Sequence, residues 1–357
     1  MTLNEQSSKE QLSKVQLLKE NLYEKQTGNK WDRRSKLEIY KDLKKTNNEI
    51  SILVAPVIYI NENYSIFPFS GISNSQTINC NENGYYSIYQ SDRYGFNNPD
   101  NEWEKKETEY LLVGDSFTHG ACVNRPNDIS SVLRNLSNKS VLNLGYAGNG
   151  PLVEYATLRE YLNSNVKKVL WIYYEGNDLN GLKEEMSEKI LMSYLNDLTF
   201  TQNLKLKQNE INDLAKNITE REYVILKEDL KTRKKKIFKL HLINFIKIYN
   251  TRNLIFPPKQ TQSKLSPLSQ LQPEFKKILE LTKDLTNKNN SKLYFVYLPE
   301  YTRFKTNYNN KNYNLVKEIV NELNIPFIDI YKDVFEKEKN PLKLFPFELD
   351  NHYNQEG

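Results

Sequence analysis

The sequence has little cysteine, little histidine and no long apolar run. Two cysteines, Cys80 and Cys122, are too few for a disulfide scaffold and lack metal-ligand spacing; between one bridge and two reduced thiols, the reduced thiols are expected. Three histidines, His119, His241 and His352, confine any histidine-dependent chemistry to those positions. No apolar run approaches the length of a membrane span, and the polar start from Met1 to Ser7 has no signal-peptide core. A soluble, cytoplasmic protein is expected. A large excess of one charge is missing too: 50 basic against 45 acidic residues leave a net charge of +5. That near balance excludes the concentrated basic surface of a dedicated nucleic-acid binder. Apolar residues make up only 38%, which calls for a very polar surface.

What is present divides the chain into three parts. Residues 1–50 are charged, with Val15, Leu17, Leu18 and Leu22 at roughly helical spacing, and read as a helical arm suited to a partner. Residues 51–105 read as a small β-rich lead-in module. It opens on the β-prone run from Ser51 to Ile60, where Pro56 marks an edge, and closes on the turn from Arg93 to Asp100. From 106 to 357 strands alternate with helices, the pattern of a parallel α/β sheet. An insertion from about 180 to 270 is charged and helical in pattern. Its segment 231–248, basic at Lys231 and Arg233 and then apolar from Ile237 to Ile248, suits a peripheral membrane or protein contact, or a lid packed on the domain.

The stretch from Tyr110 to Gly120 concentrates the chemistry. Leu111, Leu112 and Val113 form a short buried strand, Gly114 and Asp115 break it, and Ser116 stands where the chain must turn. A serine at the carboxyl edge of a parallel sheet, opening a helix, faces a crevice whose first amides favour developing negative charge. Alone, the Asp-Ser pair reads first as a helix cap, the commoner use of such a pair. Other strand ends supply companions. The strand from Ser140 to Gly145 runs into a turn holding Gly148, the strand from Lys168 to Tyr174 ends at Asn177, and Asp350 precedes His352 near the C-terminus. Loops after the strands of a doubly wound sheet converge, so these residues become neighbours. Acyl transfer needs a nucleophile, a base, an orienter for the base and oxyanion donors. Ser116, His352 and Asp350 fill the first three roles; the amides of Ser116 and Gly148 and the side chain of Asn177 fill the last. His119 reads as a helix-surface or pocket-wall residue and His241 as structural. The glycines at 145–150 lack phosphate-loop and dinucleotide spacing, and no ligand cluster supports a metal, so no cofactor is expected.

The blocks Gly114-Asp115-Ser116-Phe117, the Gly148 turn, Gly176-Asn177-Asp178 and Asp350-x-His352 together resemble the SGNH (GDSL-type) hydrolase superfamily. The resemblance spans about residues 106–357. It implies a flavodoxin-like, three-layer α/β/α domain, Ser116 as nucleophile, Gly148 and Asn177 in the oxyanion hole, and His352 as base. Many members place the acid three residues before the histidine, where this chain has Leu349. The spacing of Asp350 resembles that of polysaccharide O-acetyltransferases, and Asp178 and Glu348 stand in reserve. The chain ends five residues after His352, where the resemblance implies a closing helix. The expected reaction is attack on an acyl ester, of a small molecule or a glycan, through an acyl-enzyme. A polysaccharide O-acetyltransferase, or a non-catalytic glycan-binding or assembly protein on a degenerate hydrolase fold, are the competing readings.

Overall fold

A computed structural model of the chain describes residues 3–60, 62, 64–232, 271–305 and 308–357. The expectations for His241 and for most of the 231–248 segment fall outside the described residues. Helix α1 (Leu3–Thr27) and helix α2 (Lys36–Lys44) lead the chain. Ser35 and Glu38 close a capping box on α2, which fixes its start. The lead-in module is a three-stranded sheet of β1 (Ile50–Ile52), β2 (Gln76–Ile78) and β3 (Ile88–Gln90), with β1 parallel and β3 antiparallel to β2. The strand expected from Ser51 to Ile60 is thus cut short. Pro56 brings no N–H to a ladder and instead starts a single 3₁₀ turn, Pro56–Tyr59.

The central sheet comprises β4 (Thr108–Gly114), β5 (Val141–Asn143), β6 (Val166–Tyr174), β7 (Lys292–Leu298) and β8 (Phe327–Asp329). All four pairings are parallel and the order is β5-β4-β6-β7-β8. Counted along this sheet alone, the order is 2-1-3-4-5, the flavodoxin-like arrangement. Side chains alternate between two cores, as the pleat dictates. Leu111, Val113, Val169, Trp171, Phe295 and Tyr297 enter one core, which helices α5 (Pro151–Tyr161), α9 (Gln272–Lys288) and α10 (Lys311–Glu322) cover. Leu112, Ile172, Tyr174, Val296 and Leu298 enter the other, beneath α4 (Ile129–Ser137) and an aromatic C-terminal segment carrying Phe335, Phe345 and Tyr353. Burial on both faces explains why β4, β6 and β7 read as nearly continuous apolar runs. The insertion begins as α6 (Asp178–Glu185), α7 (Lys189–Asn196) and α8 (Gln208–Thr232).

Strand order reverses between β4 and β6, so the chain leaves those two strands in opposite directions and a crevice opens at their carboxyl ends. Ser116 follows β4 and Asn177 follows β6. The fold therefore sets both residues at the switch point.

Candidate active site

Ser116 is the first residue of a single helical turn, α3 (Ser116–His119), and Asp115 is its cap, accepting from the Phe117 amide at 2.8 Å. Gly120, at φ +79°, ends the turn. The serine is fully buried. Its hydroxyl lies 2.9 Å from Nε2 of His352 and 3.4 Å from Oδ2 of Asp115.

The other nitrogen of His352 goes to a residue the sequence reading did not consider. Nδ1 lies 3.0 and 3.1 Å from the two carboxylate oxygens of Glu82, and the His352 backbone N–H donates to Glu82 at 2.9 Å. Burial pushes the Glu82 carboxyl up. The charge and hydrogen bonds of His352, with the Lys19 charge, more than offset this and hold it below the usual carboxylate range. An ionised Glu82 only accepts, so Nδ1 carries the ring proton and Nε2 offers its lone pair to the Ser116 hydroxyl. For His352 burial acts downward, but the charge and hydrogen bond of Glu82, with Asp115 and Asp350 behind, raise its pKa. The ring is also boxed by aromatics. Phe117 lies 4.7 Å from it, and stacks on Tyr174 at 3.6 Å.

Glu82 sits in the loop between β2 and β3, which turns at Gly84 with φ +89°. A Cβ there would lie 2.5 Å from the Tyr23 ring, so both conformation and space require glycine. Asn81 donates to the carbonyl of Asp32, Asp32 donates to that of Gly84, and Asn83 donates to that of Cys122. Cys80 and Cys122 form a disulfide, with 5.0 Å between their Cα atoms. This corrects the expectation of two reduced thiols in favour of the single bridge: the fold brings together cysteines 42 residues apart in sequence.

Asp350 does not orient His352 by hydrogen bonding, because Nδ1 is already taken by Glu82. It acts on the histidine through charge, from a half-buried place near Lys19 and Lys305. The reserves lie elsewhere: Asp178 accepts from the Tyr174 amide and Glu348 from the Asn340 side chain. His119 is not on the surface. It is fully buried, edge-on to Tyr89 and Tyr146 at 4.9 and 5.6 Å, and burial lowers its pKa to about 4.

The Gly148 turn is tied to β4, since Leu144 donates to Leu112 and Tyr146 to Gly114. Gly148 has φ +79° and is half-buried. Glu185 of α6 fixes the far side of this turn, accepting from the amides of Gly150 at 2.6 Å and Leu152 at 3.0 Å. Asn177 is exposed at the start of α6. Burial raises the Asp115 carboxyl's pKa, opposed by the Phe117 amide, the His352 charge and the Asn177 side chain. One cluster of possible ligand atoms occurs among the described residues: Glu82, Cys122 and His352 within 4.8 Å of one another. With the sulfur in a disulfide and the carboxylate engaged by the imidazole, this donor set does not suit a metal ion.

No protein-family model and no curated protein matches the chain. Solved structures that match the chain include two proteins. One is described as a lipolytic protein of the G-D-S-L family from Desulfitobacterium hafniense DCB-2, at 14% identity and TM-score 0.35, covering 70% of this chain and 93% of that one. The other is phospholipase A1 from Streptomyces albidoflavus NA297, at 8% identity and TM-score 0.35, covering 70% of this chain and 92% of that one.

Proposed function

We propose that the protein is a serine esterase of the SGNH type. The observation that carries this reading is the unbroken relay Ser116–His352–Glu82 at the switch point of a parallel sheet. His352 takes the proton of the Ser116 hydroxyl as Oγ attacks the acyl carbon, and returns it to the departing alkoxide. Glu82 holds the imidazole in the tautomer that leaves Nε2 unprotonated and stabilises the imidazolium that forms. The amides of Ser116 and Gly148 and the side-chain amide of Asn177 donate to the oxyanion. The acyl group enters from the side where Gly148 and Asn177 reach solvent, because Ser116 itself is covered. Water then attacks the acyl-enzyme with His352 as general base.

A fluorophosphonate probe should label the wild-type protein at Ser116, identified by peptide mass. Ser116→Ala should lose both labelling and short-chain ester hydrolysis with an unchanged circular dichroism spectrum. Full hydrolysis by that variant would refute the nucleophile. Mass spectrometry of the acyl adduct during turnover, with and without a sugar alcohol, separates release to water from transfer to a hydroxyl acceptor.

A further inference from the structure

The Cys80–Cys122 disulfide lies close behind the relay. Cys80 stands two residues before Glu82, and Cys122 three residues after the nucleophile's helical turn. The sulfur of Cys122 lies within 4.8 Å of both a Glu82 carboxylate oxygen and a ring nitrogen of His352. We infer that this disulfide is a positioning element of the catalytic relay, clamping the loop that presents Glu82 against the segment that presents Ser116, so that full activity belongs to the disulfide form. This rests on the serine-esterase reading for its rates, though not for its geometry.

The argument is one of tolerance. Glu82 comes from the lead-in module and Ser116 from the central sheet, so no shared strand or helix sets their separation. His352 comes from a third place, the C-terminal loop. Besides the disulfide, hydrogen bonds hold the Glu82 loop: Asn81, Asn83, Gly84 and Ile88 each make one to neighbouring segments, Ser87 pairs with Asn79 and Cys80 at its neck, and Glu82 itself accepts from His352. These keep the loop folded after reduction, but each permits displacements that a covalent bond does not. A misplacement of about 1 Å in such a constellation costs about 100-fold in rate. Reduction by a phosphine is balanced: the disulfide gains two electrons and two protons to give two thiols, while phosphine and water yield the phosphine oxide.

The same displacement alters the titration of His352. The groups acting on it are Glu82, Asp115 and Asp350, which raise its pKa, and His119, which lowers it when protonated; Lys19 acts on the partner carboxylate. Withdrawing Glu82 removes the largest raising influence, so the pKa falls and the acidic limb of kcat/KM moves to lower pH.

The test compares the full-length protein oxidised, phosphine-reduced, and as the Cys80→Ala/Cys122→Ala double variant, with folding followed by circular dichroism. Expected is a roughly 10- to 100-fold fall in kcat on reduction, a matching shift of the acidic limb, and a lower His352 pKa by ¹⁵N NMR of the imidazole. If the double variant fails to fold, the reduced wild type in the cold supplies the same comparison. An unchanged His352 pKa and, where ester hydrolysis is detected, an unchanged rate would overturn the proposal. If no ester is hydrolysed by any form, the esterase reading fails and the NMR comparison alone decides the positioning role.

Discussion

Glu82 and His352 are 270 residues apart, and each is unremarkable in its own stretch of sequence. Their pairing sets the sharpest test at the scale of single residues. Glu82→Gln keeps the size of the side chain but removes the anion that selects the tautomer with an unprotonated Nε2. A loss of roughly 10⁴-fold in kcat is expected, the cost when a triad histidine takes the wrong tautomer. The acidic limb should move down in pH as the raising influence on His352 goes. Asp350→Asn, in contrast, removes only a charge at a distance and should cost less than about tenfold, with a smaller shift in the same direction. Equal losses in the two variants would return the orienting role to Asp350. Ser116 and His352 could be read from sequence because a buried strand, its breaking glycine and the order of the later blocks all point to one edge of one sheet. Glu82 could not, because it belongs to no strand end of that sheet. The available signal was the compact turn Cys80-Asn81-Glu82-Asn83-Gly84, a charged residue between a cysteine and a glycine, in a module assigned no chemistry.

Among the elements, α6 has a specific task that its sequence hides. Its first residues present Asn177, while its last, Glu185, reaches back to cap α5 through the amides of Gly150 and Leu152. One eight-residue helix thus grips both sides of the proposed oxyanion hole. Glu185→Ala leaves two buried amides without their acceptor, a loss of about 1–3 kcal/mol each at most. Urea unfolding should register that loss. Burial raises the Glu185 carboxyl from 4.5 to about 7 despite those amides. A pKa raised in the folded state means the folded protein binds the proton more tightly. The stability linked to this group is therefore complete below about pH 4.5 and lost as the pH rises through 7. Glu185→Gln should flatten the dependence of stability on pH across that window, and an unaltered slope would show that the carboxyl titrates normally. The strands were legible because β4, β6 and β7 are apolar on both faces and must lie inside a layered sheet. Helix α6 was legible as a helix, but nothing in its pattern says that its final glutamate turns inward.

Across the whole molecule, the chain closes on itself around the histidine. Lys19 of α1 donates to the side chain of Asn351 at 2.7 Å, and Tyr23 and Trp31 pack on Phe347. Tyr353 donates to the carbonyl of Pro299 at 2.6 Å, and Asn354 donates to those of Leu344 and Lys343. Helix α1 and Trp31 therefore pack on the segment that carries His352, and the residues after His352 are pinned at several points. Much of this architecture depends on the lead-in module keeping its place, and the bond from Cys80 to Cys122 is its covalent anchor to the central domain. Such bonds persist in oxidising compartments and are rare where glutathione and thioredoxin keep thiols reduced. The expectation of a cytoplasmic protein rested on the polar start and the lack of a long apolar run; the bond is a separate observation, and it points to an oxidising environment. No helix among the described residues is long and apolar enough to cross a membrane, so the prediction concerns redox environment alone. Cells producing the full chain, treated intact with a membrane-permeant alkylating agent and then lysed under denaturing conditions, should yield protein with neither cysteine modified. Reduction before a second, isotopically distinct alkylation should then label both. Complete labelling in the first step would place the working protein in a reducing compartment, with Glu82 held by hydrogen bonds alone.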